Sequence, residues 1–297
     1  MKQRLAQELA AFAADDRSGS AEIARRALEI IKDFCANSSE PEIEAGISDL
    51  TEKLIASQPS MASVLNIARR ARRKILYLAK ASNLSQIGPA LEELETGFQL
   101  DFDNAVRNAA RALSRFPKIA LYSRSSTIEQ ALLSLKTSPS PPEIIVSEAR
   151  PGYEGVRLAE NLAGAGLKVT LCVDAALPAL MQKAETFVTG ADAITIDKFC
   201  NKIGSGFLLE QAKNYMIPAF VIAANDKFLV PEMEDKLKIS ERQSGEIYSG
   251  KSAKIAVFNR LFEWCDNLLI TKFITSAGEF TPVELNNYIG KLANESD

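Results

Sequence analysis

Five polar clusters hold the residues of this chain that could do chemistry. They are Ser123-Arg124-Ser125-Ser126, Glu148-Ala149-Arg150-Pro151, Asp174, Gly190-Ala191-Asp192 and Asn201-Lys202-Ile203-Gly204-Ser205-Gly206. Arg150 offers a fork of fixed donors suited to a phosphate; a salt bridge to Glu148 or Glu154 is the plainer role. Gly204, Ser205 and Gly206 read as the opening of a helix, where free N–H groups and the dipole favour anions. They equally suit a turn that only starts the helix. Asp192, desolvated, could exchange protons near neutral pH, or it could cap a helix or make an Asx turn. The chain has no histidine, which excludes Ser-His-Asp and Cys-His nucleophilic machinery. Its four cysteines, Cys35, Cys172, Cys200 and Cys265, match no metal or redox spacing and read as reduced, packed thiols.

The elements that must position these clusters change character near Pro117. Before it the apolar residues recur at helical spacing: Leu5, Leu9 and Phe12; then Ile23, Ala27, Ile30, Ile31 and Phe34, with Ser20 as N-cap; then Ile43, Ile47, Leu50 and Leu54. Further helices are expected over about 61–80 and 103–115. Residues 1–116 therefore read as a helical bundle. After it come short β-branched runs at 118–123, 143–149, 168–175, 193–196, 217–223 and 267–275, with a shorter strand-like run before Asp192. Helical segments separate them, as in a parallel sheet covered on both faces. Residues 117–297 read as this α/β, doubly wound sheet, with the more polar and less regular segment 224–266 holding a long loop before the last strand. Ligands of such sheets bind beyond the carboxyl ends of the strands, which is where the polar clusters fall.

The net charge of -3 gives no field that would favour nucleic acid. The basic run Arg69, Arg70, Arg72, Arg73 and Lys74 reads as a solvated helix face. No stretch has the apolar length of a membrane span and the N-terminus lacks a signal-peptide core. A cytoplasmic protein without membrane contact is expected.

The segment EARPGYEG (148–155) resembles the Glu-Ser/Thr-Arg-Pro motif of one family. That family joins the alpha, beta and delta subunits of initiation factor 2B to ribose-1,5-bisphosphate and methylthioribose-1-phosphate isomerases. GADAIT (190–195) and NKIGSG (201–206) resemble its later motifs. QPSMASVLNIARRARRKI (58–75) is similar to a helix of the beta-type subunits, and NLLITKFITSAGEFTP (267–282) to the C-terminal strand and turn. The resemblance implies a helical domain followed by a Rossmann-like domain, a homodimer or higher homo-oligomer, no cofactor, and a phosphorylated small molecule as ligand. It implies contacts from Arg124, Ser125, Ser126, Arg150, Asn201, Lys202, Gly204, Ser205 and Gly206, and proton transfer by Asp192 in the isomerases. Those isomerases carry a cysteine after the first strand, where this chain has Ser123. The serine points to a regulatory, initiation-factor-like protein; the alternative is an aldose-ketose isomerase using Asp192 and Ser123. The interval from Asp192 to Asn201 is one residue shorter than in the isomerases, which shifts the loop Thr195–Cys200.

Overall fold

The computed structural model describes residues 2–15, 18–239, 241–250, 252 and 254–294. Five helices come first: α1 (Lys2–Ala13), α2 (Ser20–Ala36), α3 (Glu40–Ser57), α4 (Ala62–Lys80) and α5 (Ile87–Leu113). The apolar spacing produces them as expected: Ile23, Ala27, Leu28 and Ile31 of α2 pack on Ile43, Ile47 and Leu54 of α3 and on Val64, Ala68 and Ile75 of α4. A capping box between Ser39 and Glu42, with Pro41 in the first turn, starts α3. Gly19, not Ser20, caps α2, and Ser20 is its first helical residue. The helix expected at 103–115 is the second half of α5. That helix serves two cores, with Ile87 and Leu91 in the helical bundle and Ala109, Ala112 and Leu113 against the sheet.

The chain continues through β1 (Lys118–Leu121), α6 (Ser126–Ser134), β2 (Glu143–Ser147), α7 (Glu154–Gly164), β3 (Val169–Cys172), α8 (Leu177–Met181) and β4 (Thr186–Thr189). Then come β5 (Ala193–Ile194), β6 (Lys198–Lys202), α9 (Ser205–Asn214), β7 (Ala219–Ile222), β8 (Phe262–Asp266), β9 (Lys272–Thr275), β10 (Gly278–Phe280) and α10 (Pro282–Asn294). Seven strands form one sheet in the order β10-β9-β7-β4-β1-β2-β3, parallel except for β10. Alternate residues feed two cores. Ile119, Leu121 and Val146 meet α5, α6 and α7, while Ala120, Ile145 and Phe187 face α8, α9 and α10. This is the doubly wound α/β architecture expected from the runs.

Two sequence expectations are corrected. The run 193–196 does not join the main sheet: β5 pairs antiparallel with β6, which pairs antiparallel with β8, as a separate small sheet. Thr195–Cys200 is therefore the turn and second strand of a hairpin. The segment 224–266 is not only loop, because β8 lies at its end. Its irregular part, 3₁₀ turns and a bridge between Glu241 and Arg260, runs past the carboxyl edge of the main sheet.

Candidate functional site

The order of the sheet reverses between β1 and β4: the chain moves from β1 to β2 and β3 on one side, then to β4, β7 and β9 on the other. A crevice is expected beyond the carboxyl ends at such a switch point. A cavity of about 600 Å³ lies there, lined by residues after β1, β2, β4 and β7 and by the starts of α2 and α4. Its size suits a small molecule. Lining ionisable groups balance: five carboxylates (Asp15, Glu154, Asp192, Asp226, Glu246) and five cations (Arg124, Arg157, Lys202, Lys227, Arg242).

One wall belongs to the sheet and the elements that flank it. Ser123 follows β1 with a left-handed backbone, φ 65°. Its hydroxyl donates to Glu154 Oε1 at 3.1 Å. Lys202, at the end of β6, brings Nζ within 2.6 Å of the same oxygen, and the lysine side chain is only 4% exposed. Glu154 reaches this place because α7 begins hard against β2. A Cβ on Gly155 would fall 1.8 Å from the Ser147 carbonyl oxygen, so only glycine permits that approach. Asn201, next to Lys202, is spent internally, donating to Thr189 Oγ1 at 2.6 Å and Ser205 Oγ at 2.8 Å.

The opposite wall joins the helical bundle to the sheet. Asp192 is pinned by its backbone, its N–H donating to the Cys200 carbonyl and its carbonyl accepting from Ala62 N–H. Burial raises the proton affinity of its carboxyl, opposed by Lys227 and by a hydrogen bond with Ser20, and reinforced by the charge of Glu154. Lys227 Nζ donates to Ser20 Oγ at 2.5 Å and sits 3.2 Å from Asp226 Oδ2. That last pair is a charge contact without hydrogen-bond geometry. Asn66 of α4 donates to the Asp226 and Phe228 carbonyls, both at 2.8 Å.

Arg124, Ser125 and Ser126 line the cavity with Ser123, Asp192, Asn201 and Lys202. Ser125 caps α6, its Oγ accepting from Ile128 N–H. The first N–H groups of α6, on Ser126 and Thr127, have no hydrogen-bond acceptor among the described residues. Arg124 donates through Nε to the buried Glu129 at 2.7 Å.

Arg150 and Gly204–Gly206 are not brought to the cavity. The exposed Arg150 guanidinium stacks on Tyr153, 4.9 Å from the ring centroid, and donates to its hydroxyl. The peptide N–H groups of Ala149 and Arg150 donate to Asp174, each at 2.8 Å, so Asp174 secures this loop. Gly204 and Gly206 N–H both donate to Glu263 Oε1, at 2.9 and 2.8 Å. The anion at the start of α9 is thus supplied by β8, the strand hidden in the segment read as loop. Gly204 itself is required, with φ 97° and Tyr122 Oη 2.9 Å from any added Cβ.

Asp226 and Lys227 escaped the sequence reading, Ser20 entered it only as an N-cap, and Glu154 only as a possible partner of Arg150. Asp226 and Lys227 were within reach of the carboxyl-edge rule, since they follow β7. None of the four cysteines lines the cavity. Burial pushes Cys172 up to about 11 and Cys265 to about 12, and holds Cys200 well above the ordinary thiol range.

Comparison with known proteins agrees with this architecture. The sequence pattern of the initiation factor 2 subunit family matches residues 16–282. The chain belongs to that family. Among its members, a translation initiation factor eIF-2B subunit 2-like protein of Pyrococcus horikoshii is 30% identical over 71% of this chain and 74% of its own. A ribose 1,5-bisphosphate isomerase of Archaeoglobus fulgidus is 26% identical over 89% and 85%. In structure, the P. horikoshii translation initiation factor eIF-2B superimposes with a TM-score of 0.80 at 24% identity, covering 94% of this chain and 97% of the other. The 5-methylthioribose 1-phosphate isomerase of the same organism gives 0.78 at 18%, covering 97% and 88%. The fold is shared by both branches of the family, so the branch must be argued from the site.

Proposed function

We propose that this chain is an initiation factor 2B subunit-like protein that binds a phosphorylated small molecule and acts by binding rather than catalysis. One observation carries the reading. The position after β1, a cysteine in the isomerases that the sequence resembles, holds Ser123, whose hydroxyl is engaged by Glu154, and no thiol lines the cavity. A hydroxyl is a far weaker acid than a thiol of reference pKa about 8.5, and no histidine is present to activate it. Support for a phosphate comes from the N–H groups at the start of α6, which have no acceptor among the described residues and lie beside Arg124. The protein is proposed to work as a homo-oligomer. Phe273 and Ile274 of the apolar C-terminal run are spent inside the sheet, so less of that run is left for an interface than the sequence suggests; light scattering checks the assembly.

A second reading, an aldose-ketose isomerase, is favoured by Asp192, whose raised proton affinity suits acid-base work. Assay of the purified protein with ribose 1,5-bisphosphate and methylthioribose 1-phosphate separates the two. The expected result is no turnover together with a thermal shift by phosphorylated ligands. Turnover of about 1 s⁻¹ or more, abolished by Asp192→Asn, overturns the binding reading.

A further inference from the structure

Of the cations around the cavity, Lys202 is the one whose charge is answered by a carboxylate that also holds Ser123. Glu154 Oε1 takes both, from Lys202 Nζ at 2.6 Å and from Ser123 Oγ at 3.1 Å. Glu154 Oε2 is left with no donor among the described residues, and the side chain keeps 17% of its surface exposed. Space beside that oxygen is preserved by Gly152, where a Cβ would lie 2.6 Å from Oε2 and 3.8 Å from Lys202 Nζ. Asp192 stands close enough on the cavity wall for the charge of Glu154 to raise its proton affinity. This part of the cavity therefore presents a neutralised lysine, an acceptor-only carboxylate oxygen and a second carboxyl.

We infer that Glu154 is a specificity residue: it makes the wall at Lys202 a subsite for hydroxyl groups and excludes a second phosphate from it. The inference rests on the proposed phosphorylated ligand and narrows it to a monophosphorylated polyol. The single phosphate is left to the start of α6, where the Ser126 and Thr127 N–H groups have no acceptor among the described residues. A hydroxyl can donate to Glu154 Oε2 as a charge-assisted hydrogen bond. A phosphate in the same place has no proton to give near neutral pH and meets carboxylates instead of free cations, a juxtaposition that discriminates strongly between ligands.

Titration calorimetry on the full chain tests this with ribose 5-phosphate, ribose 1,5-bisphosphate and inorganic phosphate, on wild type and on Glu154→Gln. Glutamine keeps the shape and an acceptor while removing the charge. Wild type is expected to bind the monophosphate at least about tenfold more tightly than the bisphosphate, and Glu154→Gln to erase or reverse that ratio. A loss of structure in the variant is seen separately, as a lowered melting temperature, and the wild-type ratio then decides alone. Equal or tighter binding of the bisphosphate by wild type overturns the inference without any variant being needed. So does an unchanged ratio in Glu154→Gln. In both cases the phosphorylated-ligand reading stands. If none of the three probes binds either protein, that reading falls, and the selectivity falls with it.

Discussion

The two walls of the cavity are both ion-paired, yet they are built differently. The Ser123–Glu154–Lys202 wall is made within the strand-rich part of the chain, from the ends of β1 and β6 and the start of α7. The Ser20–Asp192–Asp226–Lys227 wall closes across the molecule, with Lys227 meeting a serine 207 residues away in sequence. The first can change its partners without moving an element. The second is also the seam between helical bundle and sheet, reinforced by Asn66 on the Asp226 and Phe228 carbonyls and by Ala62 N–H on Asp192. Substitutions on the first wall should therefore act on ligand choice, and those on the second on stability.

The largest effect expected is that of Lys227→Met. Lys227 and Asp226 are 7% and 8% exposed, and removing one partner of a buried pair costs about 3–5 kcal/mol by leaving the other charge uncompensated. Asp192 would lose its opposing cation at the same time. Lys202→Met should cost less, about 1–3 kcal/mol, because Glu154 is more exposed and can rehydrate. Urea denaturation of both variants checks the order. Equal losses would break the distinction between seam and subsite.

A smaller effect, with a definite sign, is expected from Asp192→Asn. The folded protein holds the Asp192 proton more tightly than the unfolded chain does, because burial outweighs the hydrogen bond and the cation. The stability this gives is fully present below the ordinary aspartate value of about 3.9. It is lost as pH rises through the raised native value. Relative to wild type, Asp192→Asn should thus gain stability as pH rises from about 4 towards neutrality. A difference independent of pH, or of opposite slope, would mean that the seam stabilises the ionised carboxylate.

The difference between the walls also explains what could be read from sequence. Strands β1, β2, β4, β7 and β9 are covered on both faces, so they appear as apolar runs. The strands β6 (KFCNK) and β8 (FEWCD) mix polar and apolar residues in a small sheet and gave no such signal. Missing β8 hid Glu263, and with it the reason why Gly204 and Gly206 offer no free N–H to a ligand. Half of α5 was missed although Ile87, Leu91, Leu94 and Phe98 recur at helical spacing and pack into the bundle core, because polar residues such as Glu92, Glu93, Glu95 and Thr96 separate them. Ser123–Ser126, Asp192, Asn201 and Lys202 line the cavity at the edge to which one topological rule points. Asp226 and Lys227 obey it too, but they open a segment read as loop. Ser20 and Glu154 have no local signature, since their roles are fixed by contacts 207, 31 and 48 positions away. Arg150 stands outside the cavity lining, its fork resting on the Tyr153 ring three residues on.

The smallest effects, those at Ser123, sharpen the comparison most finely. Two terms of similar size meet there. The hydroxyl makes one hydrogen bond with Glu154, at 3.1 Å long for a hydroxyl on a carboxylate, which holds its contribution to the ordinary figure of about 0.5–1.5 kcal/mol. The left-handed backbone at φ 65° costs any non-glycine residue about 1 kcal/mol or somewhat more. Ser123→Ala removes the bond and keeps the strain, so it should be less stable than wild type by about 1 kcal/mol. Ser123→Gly removes both, and the terms nearly cancel. Glycine is therefore expected to lie close to wild type and about 1 kcal/mol above alanine, the reverse of their order in a regular helix or strand. Denaturant midpoints of the three proteins decide it. If alanine is the more stable variant, the turn after β1 is not held left-handed, and the hydroxyl is not presented to Glu154 by the backbone. If the order holds, Ser123 is a residue kept in a strained turn to place a hydroxyl on the subsite wall, and its removal should leave the Lys227 seam intact.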